Sequence, residues 1–258
     1  MEAADPVLQL SLLALAGLAA GYINSVAGAG SLLTLPALIF TGLDAGAANA
    51  TNRIAVLFQN AAAVVAFHRA GRGAVRPGLV MAVPATLAGV AGAVAAAHTP
   101  DHILQLCIAA AMLVFLVLSL VPRQRAGTDA VRAAAERPVD AGALLAFLAI
   151  GFYAGFLQAG VGILILLYMS LVQGVGLVKA NAVKVVVILV LTSAALGAFV
   201  WQGVEIDALR GLVLAAATTG GGYLGAVATM RRGERFVRVV LVTVVVASVT
   251  KLAWDALA

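Results

Sequence analysis

GLAAGYINSVAGAGSLLTLP, residues 17–36, is the stretch whose reading decides the fold. It begins and ends as apolar, membrane-like sequence, but Asn24, Ser25, Gly28, Gly30 and Ser31 interrupt any continuous helix in its middle. Lipid tolerates unpaired backbone only where protein or a water-filled cavity supplies partners, so the interruption predicts a broken helix or helical hairpin inside a bundle. A looser copy stands at residues 151–170, GFYAGFLQAGVGILILLYMS. There Gly17, Gly21, Asn24 and Gly28 become Gly151, Gly155, Gln158 and Gly162, each 134 residues on. Paired, interrupted apolar segments at matching places in two halves point to a transport site.

Composition agrees with a membrane setting. The 258 residues are 63% hydrophobic and only 10% charged, with a mean hydropathy of +1.09. A bundle facing lipid needs that much apolar surface and a soluble domain does not. The net charge of +5 would suggest nucleic acid in a soluble chain, but here the basic residues gather in loops and read as topology determinants. The start, MEAAD, carries no basic residue and reads as the retained lead-in to a first span rather than a signal peptide. Cys107, the only cysteine, lies in an apolar run and reads as a small buried hydrophobe.

Beyond the first hairpin, apolar segments fall at 45–68, 78–97 and 102–121, then a polar linker at 122–138. The second half repeats the order with 141–159, a short 161–173, then 177–200, 208–230 and 236–257. Gly71 and Gly203 follow the third segment of each half, and Gly-Ala-Val-Ala recurs at 92–95 and 225–228. The expected divisions are a first transmembrane repeat over 1–121, a cytoplasmic linker over 122–139 and a second repeat over 140–258.

Charge sets the orientation. The loops at 69–76, 123–137 and 231–238 carry eleven of the sixteen basic residues. The connections at 43–50, 98–101 and 201–207 carry none, but hold Asp44, Asp101, Glu205 and Asp207. The first set is therefore expected in the cytoplasm and the second outside, with both termini outside. The first hairpin then enters and leaves from outside, and the second from inside. The fold class expected is an all-α polytopic membrane protein of two inverted repeats, each a broken-helix hairpin followed by three transmembrane helices, with the hairpin tips meeting near the bilayer midplane.

All eleven carboxylates lie in the tail, the loops or the ends of spans, so the ionisable groups at depth are cations. Arg53 lies about 12 Å below the outer end of its helix, and Lys184 about 10 Å above the inner end of its own, at ~1.5 Å of rise per residue. Asn52 and Asn181 stand close to them, at what read as matching positions of the two halves. Intramembrane charges mark pathways by default, and a bound anion would supply the missing negative partner. Asn, Gln and Ser side chains and N–H groups at broken-helix ends would cradle its oxygens. The alternative is that Arg53 and Lys184 bond helix-end carbonyls across the interface of the two halves. Most of the glycines have a plainer reading, close helix packing.

The run GYINSVAGAGSLLTLPAL, then ATNRI, then the basic loop HRAGRGAVRPG resembles the TauE/SafE-type sulfite exporter family of bacterial membrane proteins. GFYAGFLQAGVG and the closing RRGERFVRVVLVTVVVASVTKLAW fit the same family, so the resemblance covers nearly the whole chain. It implies movement of sulfur oxyanions or organosulfonates, such as sulfite, out across the bacterial inner membrane. Carried onto this chain, it points to Asn24, Gly28, Gly30, Asn52 and Arg53 in the first half, and to Gln158, Gly162, Asn181 and Lys184 in the second. With Ser25 and Ser31 these are the expected substrate-binding residues. The expected partners are a small anion and the lipid bilayer, with no nucleic acid, no cofactor and no metal, and with a homodimer as the assembly to test.

Two other classes compete. An anion channel or another anion permease would use the same features. A membrane enzyme is disfavoured, because no span pairs a histidine with a carboxylate or carries a metal-ligand cluster. No nucleotide-binding loop is present, so ATP-driven transport would need a separate subunit, and the leading reading is a secondary transporter.

Overall fold

A computed structural model of the protein describes residues 6–120 and 141–257, with side chains throughout except at 27, 115–120 and 233–257. Helices account for almost all of it. They are α1 (Pro6–Ala27), α2 (Ser31–Phe40), α3 (Ala45–Arg69), α4 (Val75–Ala97), α5 (Asp101–Leu120), α6 (Ala141–Phe156), α7 (Val161–Leu167), α8 (Leu177–Trp201) and α9 (Ala208–Leu257). A π-helical turn, Tyr168–Val172, continues α7. Among the described residues, five helices are long and apolar enough to cross a membrane: α1, α3, α4, α8 and the 208–232 part of α9.

The breaks fall where the sequence interrupts itself. α1 and α2 are separated by Gly28, whose φ of +78° an L side chain rarely adopts. α6 and α7 are separated at Gln158 and Gly160, with φ of +60° and +66°. The stops of the two central helices also match. α3 and α8 are each 25 residues long, and each ends two residues before a left-handed glycine, Gly71 and Gly203.

Small residues bring the helices together. α1 packs on α9 and α6 on α4, while α3 packs on α9 and α8 on α4. A side chain at Gly21 would overlap the backbone of Thr218, and one at Gly221 the backbone of Leu18. Gly151 meets the backbone of Ala85 and Gly155 that of Gly89 in the same way. Without a hydrophobic driving force between helices in lipid, such close backbone approach supplies the van der Waals contact that holds the bundle.

These contacts also give direction. Ascending α1 from Gly17 to Gly21 ascends α9 from Leu214 to Thr218, and ascending α3 from Thr51 to Gln59 ascends α9 from Asp207 to Gly222. α6 and α8 run with α4 by the same test, Gly151 and Gly155 against Ala85 and Gly89, Val186 and Leu191 against Gly78 and Gly89. The backbone of Gly46, at the start of α3, donates to Asp101 just beyond the end of α4, so α3 and α4 are opposed. Thus α1, α3 and α9 point one way and α4, α6 and α8 the other.

Charge is sorted to the two ends. Asp44, Asp101 and Asp207 gather at the first turns of α3, α5 and α9, where Arg210 holds both Asp207 and the carbonyl of Thr41. At the opposite end Arg72 donates to the carbonyl of Met230, and Arg72, Arg76 and Lys179 line one cavity of about 630 Å³.

One expected loop is absent. Residues 231–238 continue α9 as helix, so the expected segments at 208–230 and 236–257 form a single helix of 50 residues. MRRGERF offers one glycine and no proline, and Met, Arg and Glu are good helix formers, so the polar stretch carries no break. The linker at 122–138 and the first five residues lie outside the described residues.

Candidate functional site

The two hairpin tips meet. Gly28 and Gly162 touch backbone to backbone, and a Cβ on either would collide with the other. All eleven residues expected at the site are buried, and all are polar, charged or glycine; Asn49, Gln59, Asn60 and several threonines are buried with them in an otherwise apolar interior. They gather as two clusters, one at each interrupted helix.

At the end of α1, Lys184 reaches across from α8 and donates to the carbonyl of Asn24 at 2.7 Å and to that of Ser25 at 3.5 Å. The Asn181 amide donates to the carbonyls of Ser25 and Val26 and lies 3.4 Å from the Thr229 hydroxyl. At the end of α6, Arg53 reaches across from α3. Its guanidinium donates to the carbonyls of Ala154 and Gly155, and to Oε1 of Gln158 at 2.7 Å. The Asn49 amide donates to the carbonyl of Phe156 at 2.7 Å. Arg53 also lies 4.7 Å above the ring centre of Phe199.

The physical reason is shared. The last carbonyls of a helix have no intrahelical partner and carry the negative end of its dipole. Breaking α1 and α6 inside the bundle leaves such carbonyls at depth, and a cation from the opposite half caps each set. Of the two readings open from the sequence, the structure therefore displays the second: Arg53 and Lys184 bond helix-end carbonyls. Both cations are fully buried, and neither has a carboxylate among its partners.

The remaining expected residues hold the tips in shape. Asn24 accepts the backbone N–H of Gly30 through Oδ1, and Gly30 leaves no room for a Cβ against Ala20 and Asn24. Asn52 accepts from the Thr34 hydroxyl at 2.6 Å, tying α3 to α2. Ser31 is buried at the first position of α2. Gln158 holds Arg53 with its Oε1 and Thr192 with its Nε2, the latter at 2.7 Å. Several buried polar atoms have no partner, among them Ser25 Oγ, Asn52 Nδ2, Arg53 Nε, Gln59 Nε2, and the Oδ1 atoms of Asn49 and Asn181.

The structure also corrects the register between the halves. Gly28 and Gln158 each lie three residues before the helix that follows the break, and both have positive φ. The sequence match of Gly28 with Gly162 is therefore one turn out. Glycines spaced four apart keep their alignment under a four-residue slip, so the sequence could not expose the error. Likewise Asn49, not Asn52, answers Asn181: each is the fifth residue of its 25-residue helix, and each caps the opposite broken helix. Asn49 went unselected from the sequence, although counting from Gly71 and Gly203 would have found it. Thr34, Thr192, Thr229 and Phe199 carry no sequence signal of their own.

A helical bundle with two broken hairpins meeting tip to tip, capped by buried cations, is a polytopic membrane protein of transporter architecture. The family model described as sulfite exporter TauE/SafE matches residues 13–252. The chain belongs to the TauE/SafE family. It is 27% identical over 246 residues to a protein of Sinorhizobium sp named probable membrane transporter protein ORF9, covering 95% of this chain and 93% of that one. It is 25% identical over 248 residues to the probable membrane transporter protein YfcA of Escherichia coli K12, covering 96% and 91%. A probable membrane transporter protein of Haemophilus influenzae is 26% identical over 254 residues, covering 95% of each chain. No solved structure matches the chain.

Proposed function

We propose that this protein is a secondary transporter that exports small sulfur oxyanions or organosulfonates, such as sulfite, across the bacterial inner membrane. One observation carries the reading: two fully buried cations, Arg53 and Lys184, converge on touching hairpin tips with carbonyl and amide dipoles and, for Arg53, the Phe199 ring as partners, and no carboxylate among them. Helix-end carbonyls carry partial charge, so the centre keeps a positive surplus that a bound anion would offset. Parting the tips would let an oxyanion replace some of those carbonyls. Unpartnered Asn52 Nδ2 and Arg53 Nε would then donate to it. The sulfur chemistry rests on the family's description, not on the geometry.

The opposed directions of α1 and α6, and of α3 and α8, support two inverted repeats around this centre. We place the end carrying Arg72, Arg76 and Lys179 in the cytoplasm, following the excess of basic residues there. The cavity at that end would then concentrate anions for export.

Purified protein in liposomes loaded with sulfite, sulfate, thiosulfate, methanesulfonate or acetate tests the reading. Efflux of a sulfur oxyanion that shows counterflow and saturates supports it. Absence of flux for every sulfur anion would end it, and single-channel currents would replace the carrier with a channel.

A further inference from the structure

We propose that Gln59, together with Ser25, is a substrate-selecting pair that donates hydrogen bonds to oxyanion oxygens on the Lys184 side of the centre. The proposal rests on the transport reading above and adds a residue and an asymmetry to it.

Gln59 lies on α3, one and a half turns beyond Arg53, and is 2% exposed. Its amide Nε2 has no hydrogen-bond partner, and neither has the hydroxyl of Ser25, which is 1% exposed. The two side chains face each other across Gly222 of α9. A Cβ built on Gly222 would lie 2.5 Å from Gln59 Cγ and 3.3 Å from Ser25 Oγ. Ser25 is also the residue whose carbonyl Lys184 and Asn181 share, so the pair adjoins the buried ammonium.

The second half shows what this position needs for packing alone. Gly211 and Gly222 of α9 meet Ile54 and Gln59 of α3, just as Gly78 and Gly89 of α4 meet Val186 and Leu191 of α8. Gln59 therefore corresponds to Leu191, which packs as a buried core side chain 3.1 Å from a Cβ built on Gly89. Ser25 corresponds to Gly155, whose position meets Gly89. Leucine and glycine satisfy the helix contacts in one half, so packing does not require an amide and a hydroxyl in the other. A buried amide without a partner is costly, which leaves a ligand as the reason to keep it. Two neutral donors beside an ammonium suit a ligand with several oxygen acceptors. A spherical halide has no fixed acceptor directions for them to match.

The test uses the full-length protein in liposomes, with sulfite flux and its inhibition by chloride as readouts. Gln59→Leu places the residue of the second half in the first, and should keep or raise the thermal midpoint. Its KM for sulfite should rise about tenfold or more, the loss of one hydrogen bond to a charged group, while chloride inhibition stays nearly constant. Ser25→Ala should move in the same direction. The isosteric Gln59→Glu should suppress sulfite flux through repulsion, and serves where the leucine variant does not fold. Sulfite KM and chloride inhibition at wild-type values in the leucine variant, or unreduced flux in the glutamate one, would overturn the proposal and leave the transport reading standing. Wild-type protein that moves no sulfite or other oxyanion would overturn both.

Discussion

Arg53 of the first half and Gln158 of the second are joined by a 2.7 Å hydrogen bond in the interior, and Gln158 makes it from a backbone of φ +60°. A left-handed conformation at a non-glycine residue is held at a cost on the order of 1–3 kcal/mol, so its surroundings must over-determine it. Here Arg53 takes one end of the amide and Thr192 the other. The strained turn of one half is thus fastened by the buried cation of its counterpart.

Gln158 accordingly separates backbone from side-chain effects. Gln158→Ala loses both hydrogen bonds and keeps the strain, and should destabilise the protein by about 2–4 kcal/mol. Gln158→Gly loses the same bonds but relaxes the turn, and should retain about 1 kcal/mol more than the alanine variant. Thermal midpoints in detergent give the order. Equal midpoints would show that the turn is unstrained.

The touching tips make a second test. Gly28→Ala meets both an unfavourable φ and the backbone of Gly162, whereas Gly42→Ala meets the same unfavourable φ in open space. The first should abolish flux and lower the midpoint by several degrees more than the second. Matching behaviour of the two variants would show that the tips do not need to touch.

The cations are expected to be unequal in what replaces them. Arg53 spreads its donors over two carbonyls and a side-chain amide, so Arg53→Lys, with one compact ammonium, should lose about 1.5–3 kcal/mol of stability. Lys184→Gln leaves the Asn24 carbonyl with only the Gly28 N–H as donor and also removes the charge beside Ser25. Sulfite binding measured by calorimetry on folded Lys184→Gln should fall at least tenfold. Unchanged affinity would confine Lys184 to a capping role.

Outside the membrane the Asp207–Arg210 clasp predicts an acid-sensitive end. Burial alone would raise the Asp207 carboxyl, but the backbone N–H and guanidinium of Arg210 outweigh it and hold the group below its ordinary value. A carboxyl lowered by folding adds stability above its unfolded value and loses it as pH falls through the folded one. Wild-type midpoints should therefore drop in the acid range. Asp207→Asn should start lower at neutral pH and show less of that decline, and identical pH profiles would remove the clasp from the account.

Orientation is open to labelling in a background lacking Cys107. A cysteine at Gly73, at the end with Arg72 and Arg76, should be shielded from an impermeant reagent applied outside cells, and one at Gln202 should react. Reaction at Gly73 alone would turn the molecule over.

Much of this was legible without coordinates, because the membrane imposes constraints that act locally. A helix must satisfy its own backbone in lipid, so length and hydropathy alone marked the segments, and Gly28 and Gly160 marked the breaks. Basic loops segregate before any tertiary contact forms, so charge alone sorted the ends. The absence of a carboxylate at depth singled out Arg53 and Lys184. What those cations bond was decided only in three dimensions, since their acceptors are carbonyls more than a hundred residues away and every residue has a carbonyl. Register between the halves was likewise hidden, because glycines four apart align equally well one turn out of step. Only the contacts of Gly89 and Gly222 set Leu191 against Gln59, and so separated an amide kept for its chemistry from a side chain kept for its volume.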